Sequence, residues 1–334
     1  MSAEVFISTA PFAQGDPCAL DMLKASGAQV RQNPVGRRLT DVELSKMIGS
    51  STVLIAGTEP INERVLDRAP QLKLIARVGI GLDSVDLAEA RRRGIEVSYT
   101  PDAPSEAVSE FTIGLILDLL RGVTLADRYM RGGEWNRFVG RRVAASVIGV
   151  IGVGRIGSRV IRHLVGAFPG VRILANDLRN CGDFENLPEV QWVEKEYMFQ
   201  HADLISLHLP LTTETRDLIA QKTIGRMKKG VYLVNTSRGG VLNESDLLRA
   251  LDAGRIAGAA LDVFGHEPYH GPLLKSDRCV LTCHMGSMSK DCRFQMELQA
   301  AEDACRFLRG ESIRQPVPVF EYELQGQLNG ALKS

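Results

Sequence analysis

The chain carries no excess of either charge: 40 Lys and Arg balance 40 Asp and Glu over 334 residues. A neutral chain offers no electrostatic footprint for nucleic acid or for an acidic membrane surface. No uninterrupted apolar run approaches the roughly 20 residues that a membrane helix needs; Arg155 and the glycines around it break up the longest candidate. The six cysteines, at 18, 181, 279, 283, 292 and 305, include no C-x-x-C pair. Met1-Ser2-Ala3-Glu4 lacks the basic start of a secretory leader. Reduced thiols and a cytoplasmic location are therefore expected. Cys279, Cys283, His284 and Cys292 match no common ligand spacing, so no metal site is expected. Internal repeats and low-complexity tracts are also missing.

What is present is ordinary for a globular protein: 44% hydrophobic and 24% charged residues, in a length that suggests two domains. The most informative stretch runs from Ser146 to Asp177. An apolar run, 146–151, leads into Gly152-Val153-Gly154-Arg155-Ile156-Gly157, a G-x-G-x-x-G that opens a helical pattern. A second apolar run, 171–175, ends at Asn176-Asp177. Gly152 permits a tight strand-to-helix turn, Gly154 lets a pyrophosphate approach the backbone, and Gly157 lets the helix pack closely on the strand. The free N–H groups of the helix start face the phosphates. A carboxylate at Asp177 accepts hydrogen bonds from the adenosine ribose and repels a 2′-phosphate. That favours NAD over NADP, with Arg179 nearby as a counterweight.

Strand-like runs at 4–8, 52–56, 72–76 and 95–98 alternate with helical patterns at 41–48 and 62–69, the pattern of a parallel sheet covered on both faces. Pro101 and Pro104 mark a break. One long helix is expected from Ser105 to about Met130, buried along its apolar 111–117 stretch. Further strands are expected at 203–207, 231–235, 256–261 and 279–282, and a long final helix at 289–308. The tail from Glu311 is expected to be loosely ordered.

In a doubly wound sheet, ligands bind beyond the carboxyl ends of the strands. There the sequence offers Arg238, Glu267 and His284. A guanidinium holds a carboxylate through two hydrogen bonds and polarises a neighbouring carbonyl. A histidine shuttles a hydroxyl proton, and a carboxylate beside it stabilises the imidazolium. That set fits hydride transfer at a hydroxy acid.

These pieces, with Arg77–Asp86, Glu106–Glu110, Ser206–Thr212, Asn235–Gly239, Leu261–Phe264, Glu267-Pro268 and Thr282–His284, resemble the D-isomer-specific 2-hydroxyacid dehydrogenase family, closest in type to its D-3-phosphoglycerate dehydrogenase-like members. The resemblance covers roughly residues 50 to 310. It implies an α/β fold of two doubly wound parallel-sheet domains, a Rossmann NAD-binding domain (103–290) inserted into a flavodoxin-like substrate domain (1–102 and 291–334). It implies that Arg238 holds the substrate's carboxylate and carbonyl, that His284 is the acid/base and Glu267 its partner. Backbone N–H groups around Val78 and Gly79 would bind the carboxylate from the opposite domain. Arg155 and Ile156 would donate to the pyrophosphate, with Thr236 and Asp262 against the nicotinamide side and His208 and Pro210 against the adenosine side. Arg77 stands where phosphoglycerate-type members carry a basic residue that meets a phosphate; its alternative role is to cap a strand. A small anionic 2-hydroxy or 2-oxo acid with a second anionic group is the substrate expected. A glyoxylate or hydroxypyruvate reductase, or an NAD-sensing corepressor-like protein, is the alternative. Family members are usually homodimers, and the 111–117 helix and the Trp135 loop would form that interface. Three positions depart from the family pattern. Cys283 replaces the usual Pro before the acid/base, Pro104 stands where Asn is common, and Phe111 where His or Tyr is frequent.

Overall fold

The structure, a computed structural model, describes residues 3–178 and 184–331. Arg179 and Cys181 lie outside the described residues. The chain divides into two compact units, Met1–Pro104 with Ser287–Ser334, and Ser105–Gly286.

In the first unit, strands β1 (Glu4–Ile7), β2 (Gln29–Gln32), β3 (Val53–Ala56), β4 (Leu74–Arg77) and β5 (Glu96–Ser98) alternate with helices α1 (Cys18–Ala25), α2 (Asp41–Met47), α3 (Glu63–Asp67) and α4 (Leu87–Arg92). The strands pair parallel in the order β2-β1-β3-β4-β5. β3 and β4 are buried at every position, as a sheet covered on both faces requires. Capping fixes the helix starts: Thr40 accepts from Glu43 N while Glu43 reaches back to the Thr40 backbone, a reciprocal pair that satisfies two otherwise orphaned donors.

The second unit holds α5 (Ala103–Arg121), α6 (Val123–Arg131), β6 (Val147–Ile151), α7 (Arg155–Ala167), β7 (Arg172–Asn176), β8 (Val190–Trp192), α8 (Lys195–His201), β9 (Leu204–Leu207), α9 (Gln221–Arg226), β10 (Val231–Asn235), α10 (Glu244–Asp252), β11 (Ile256–Leu261) and β12 (Cys279–Leu281). Its sheet is parallel throughout, in the order β12-β11-β10-β9-β6-β7-β8. The strand order reverses between β6 and β9, which places the crevice of a doubly wound sheet at their carboxyl ends. The chain then returns to the first unit with α11 (Lys290–Leu308) and α12 (Val319–Ala331). Two parallel sheets, each layered with helices, are the architecture expected from the sequence.

Three expectations need correction. The single helix expected from Ser105 to Met130 is two helices, because Gly122 adopts a left-handed φ of 64° and the Asp118 carboxylate caps the new start through Thr124 N at 2.8 Å. The apolar 111–117 stretch is only partly buried: Leu115 and Ile116 are, whereas Leu117 is 37% exposed. The described part of the tail, beyond Glu311 to Ala331, is not loose. Val317 N donates to Val97 O, Tyr99 N donates to Gln315 O, and α12 then packs on α4. Among the described residues no helix is long and apolar enough to cross a membrane.

Candidate active site

The second unit brings most of the candidate residues to one end of its sheet. Gly152 follows β6 at φ 89°, and a Cβ there would stand 2.3 Å from the His208 carbonyl oxygen. A Cβ on Gly157 would stand 1.9 Å from the Gly152 oxygen. Only glycine lets this turn, the start of α7 and the end of β9 come so close. Gly154 instead faces open space, with nothing within 4 Å of a built Cβ. No side chain caps the N-terminus of α7, so its first N–H groups and positive dipole end are open to an anion. Asp177, at the end of β7, accepts from Val153 N at 2.6 Å, which holds the acid beside the glycine turn. The open Gly154 backbone, the uncapped helix and the acid beyond β7 fit a dinucleotide.

His208 follows β9. Its Nε2 pairs with the Ser206 hydroxyl at 2.8 Å. The residue as a whole is half-buried, but Nδ1 is sealed from solvent, and desolvation drives the pKa down to about 3. His208 is therefore a neutral ring. Pro210 is exposed beside it and its carbonyl accepts from the Thr215 hydroxyl.

The Glu267–His284 pair lies in the loops after β11 and β12. His284 Nδ1 meets Glu267 Oε2 at 2.8 Å, and Glu267 Oε1 accepts from Phe264 N at 3.1 Å. With Nδ1–H directed at the carboxylate, Nε2 is the ring atom left to exchange a proton with a ligand. The imidazole is 38% exposed, so a ligand can reach it. His284 takes a left-handed φ of 54°, a conformation unfavourable for any residue with a Cβ.

Arg238 is placed by the turn after β10. Asn235 accepts from Ser237 N at 3.0 Å and from the Ser237 hydroxyl at 2.8 Å, and its own amide donates to Arg238 O at 2.8 Å. Arg238 Nη1 donates to Ser237 O. Thr236 is buried and its hydroxyl lies 2.9 Å from that of Thr112. Because Thr112 donates to Val108 O, the shared proton belongs to Thr236. Asn235 opens the Asn235–Gly239 segment that carries the resemblance, but the sequence assigns no role to it or to Thr112; each acts by shaping the turn, which composition does not reveal.

Asp262, expected against the nicotinamide side, has partners for its carboxylate within the protein. Oδ1 accepts from the Thr282 hydroxyl at 2.7 Å and from Met285 N at 2.9 Å, and Oδ2 accepts from Gly286 N at 2.9 Å. Its backbone oxygen accepts from His284 N at 2.8 Å. Asp262 thus clamps the loop that presents His284.

The remaining candidates belong to the first unit, in the turn after β4. Val78 N donates to Ala56 O at 2.8 Å, and Gly79 N donates to the Thr100 hydroxyl at 2.8 Å. Both donors expected to meet a carboxylate are committed to the protein, and the next along the turn are Ile80 and Gly81. Arg77 is 6% exposed. Its Nη1 donates to Val78 O, and the guanidinium lies on Gly79, where a Cβ would fall 2.5 Å from Nη1. Cys283, Cys279, Cys292 and His284 form no metal-binding group; no cluster of three such residues occurs among the described residues.

Comparison with known proteins places this arrangement. Residues 113–286 match the model of the D-isomer specific 2-hydroxyacid dehydrogenase NAD binding domain. A glyoxylate reductase of Korarchaeum cryptofilum is 40% identical over 262 residues, 76% of this chain and 78% of that protein. A D-3-phosphoglycerate dehydrogenase of Methanocaldococcus jannaschii is 36% identical over 302 residues, 89% of this chain and 57% of that protein. The crystal structure of a protein from Thermus thermophilus superimposes with a TM-score of 0.84 at 33% identity, covering 94% of this chain and all of that one. A dinucleotide turn, a Glu–His pair and an arginine on successive strand ends, in a chain this similar to these proteins along most of its length, make it an NAD-dependent member of the D-isomer-specific 2-hydroxyacid dehydrogenase family.

Proposed function

We propose that this enzyme reduces a small, unphosphorylated 2-oxo acid of the glyoxylate or hydroxypyruvate kind. The observation that carries this reading is the position of Arg77. A phosphate subsite needs a guanidinium that reaches a ligand, whereas this one is buried on its own turn against Gly79 and bonded to Val78 O. The glyoxylate reductases among the relatives support the same substrate class. A substrate with a second anionic group is the alternative, favoured by the D-3-phosphoglycerate dehydrogenase relatives.

In this reading Arg238 binds the carboxylate and polarises the carbonyl, with its turn held rigid by Asn235. His284 Nε2 gives its proton to the carbonyl oxygen, and Glu267 stabilises the imidazolium that serves as the donor. In the first unit, the turn after β4 is the stretch this reading assigns to the substrate. Arg155 and Ile156 of α7 hold the pyrophosphate and Asp177 the ribose. Bound NADH supplies the hydride. Two further readings accompany this one. The amphipathic α6 has no buried residue and Trp135 in the following loop is 79% exposed, which supports a homodimer through this region. The free thiols at 18, 279, 283, 292 and 305 support a cytoplasmic site of action.

The test is NADH oxidation with glyoxylate, hydroxypyruvate, pyruvate, phosphohydroxypyruvate and phosphonopyruvate. Turnover of the small acids, unchanged in Arg77→Ala apart from a loss of stability, supports the reading. Turnover confined to the phosphorylated or phosphonylated acids, and lost in Arg77→Ala, replaces it with the alternative.

A further inference from the structure

We propose that Gln325, on the C-terminal helix α12, is a positioning residue for the substrate turn after β4. This rests on the reading that assigns the turn to the substrate. The turn runs from Val78 to Asp86, carries Gly79 and Gly81, and is braced from within by Val85 N donating to Leu82 O at 3.1 Å. It is tied at one end by Thr100 and near the other by Ile61, whose N–H donates to Ser84 O and whose carbonyl accepts from Asp86 N. The second half of the turn is also held by a side chain from about 240 residues away. Gln325 Nε2 donates to Val85 O at 2.7 Å and to Leu82 O at 3.3 Å, while Oε1 accepts from Leu87 N at 2.8 Å.

One planar amide thus closes three backbone groups, two at the end of the turn and one at the first residue of α4. Only a side chain carrying donors and an acceptor at its tip can do this. Gln325 is held in turn. Tyr322, one helical turn earlier, packs against the core of this unit, with the Arg91 guanidinium 4.4 Å from the ring centroid. Burial raises the Tyr322 phenol above its ordinary pKa. Before the helix, Pro316 bridges Ser98 and Val317 N bonds to Val97 O, which fastens the approach to β5. The C-terminal helix is therefore a strap over the turn. None of the motifs that carry the chemistry lies in it.

The test compares full-length wild type with Gln325→Ala and Gln325→Glu. The glutamate keeps an acceptor for Leu87 N–H but turns the donors facing two carbonyls into a repelling oxygen. Three readouts are needed: steady-state constants for the best 2-oxo acid, the dissociation constant of NADH, and hydrogen exchange at the Leu87 amide. The expected result for Gln325→Ala is a KM raised about three- to tenfold, the loss of one to two ordinary hydrogen bonds at the turn. kcat and NADH binding stay near wild type, and the Leu87 amide exchanges faster. Gln325→Glu raises KM at least as much. An unchanged KM with a deprotected Leu87 amide overturns the proposal, leaving Gln325 as a fastener of α12 alone. KM and the NADH constant rising together also overturn it, since the defect is then general. If wild type turns over no 2-oxo acid, the reaction reading fails and this proposal fails with it; intact NADH binding and a protected Leu87 amide would show that the substrate assignment, not the strap, was at fault.

Discussion

Replacing Asp262 by Asn separates the clamp on His284 from the chemistry of His284. Asp262 is 2% exposed, and its two oxygens accept three hydrogen bonds from the 282–286 loop. Asparagine keeps one accepting oxygen. Its best orientation serves Thr282 and Met285 and turns an NH2 toward Gly286 N, leaving two donors face to face. Hydrogen bonds to a charged group contribute about 1.5–3 kcal/mol, and an orphaned buried donor costs about 1–3 kcal/mol. The loop therefore loses about 2–4 kcal/mol of hold. His284 depends on that hold, because its φ of 54° costs about 1–3 kcal/mol in a residue other than glycine. A relaxed loop moves Nε2, and a misplacement of about 1 Å costs on the order of a hundredfold in rate. Asp262→Asn should thus lower kcat about 30- to 300-fold while NADH binding changes less than about threefold. The assay is steady-state NADH oxidation alongside NADH titration by fluorescence. A kcat within about threefold of wild type would refute the clamp.

Three other outcomes are expected. Gly239→Ala forces a Cβ to within 2.0 Å of the Phe264 carbonyl carbon and 2.2 Å of its oxygen, so the Arg238 turn and the strand end carrying Glu267 must separate; a melting temperature lowered by the equivalent of about 1–3 kcal/mol and a fall in kcat are the readouts. Asp177→Ala should gain activity with NADPH relative to NADH, and an unchanged coenzyme ratio would count against the ribose role. His208 is held neutral in the fold by burial, with its pKa down to about 3, while the unfolded chain takes up a proton near the ordinary value of about 6.5. The stability this contributes is whole above that value and is lost as pH falls from there toward about 3. Melting curves between pH 7 and pH 4.5 should fall more steeply for wild type than for His208→Asn, and parallel curves would show that another group controls the acid limb.

What the sequence by itself determined is whatever rests on local covalent constraint. The glycine turn at 152–157 was legible because a left-handed φ and a missing Cβ leave one residue type available. The central strands were legible because runs such as Val53–Ala56 and Leu204–Leu207 are apolar on both faces and have only one place to go. The pairing of Glu267 with His284 was suggested by their positions at neighbouring strand ends, where a parallel sheet gathers its loops. Only the tertiary structure decided the rest. β2 (Gln29–Gln32), of largely polar residues, and β8 (Val190–Trp192), only three residues long, are edge strands, extended because a neighbouring strand offers hydrogen bonds that sequence alone cannot show. The break at Gly122 depends on a cap from Asp118. Asp262 carried the same carboxylate either way, but its partners arrive from a loop some twenty residues on. The tail reads as loosely ordered until α4 is beside it; there Tyr322 finds a core and Gln325 finds three backbone groups. In each case the residue type sets what a side chain can bond, and the fold decides which partners come within reach.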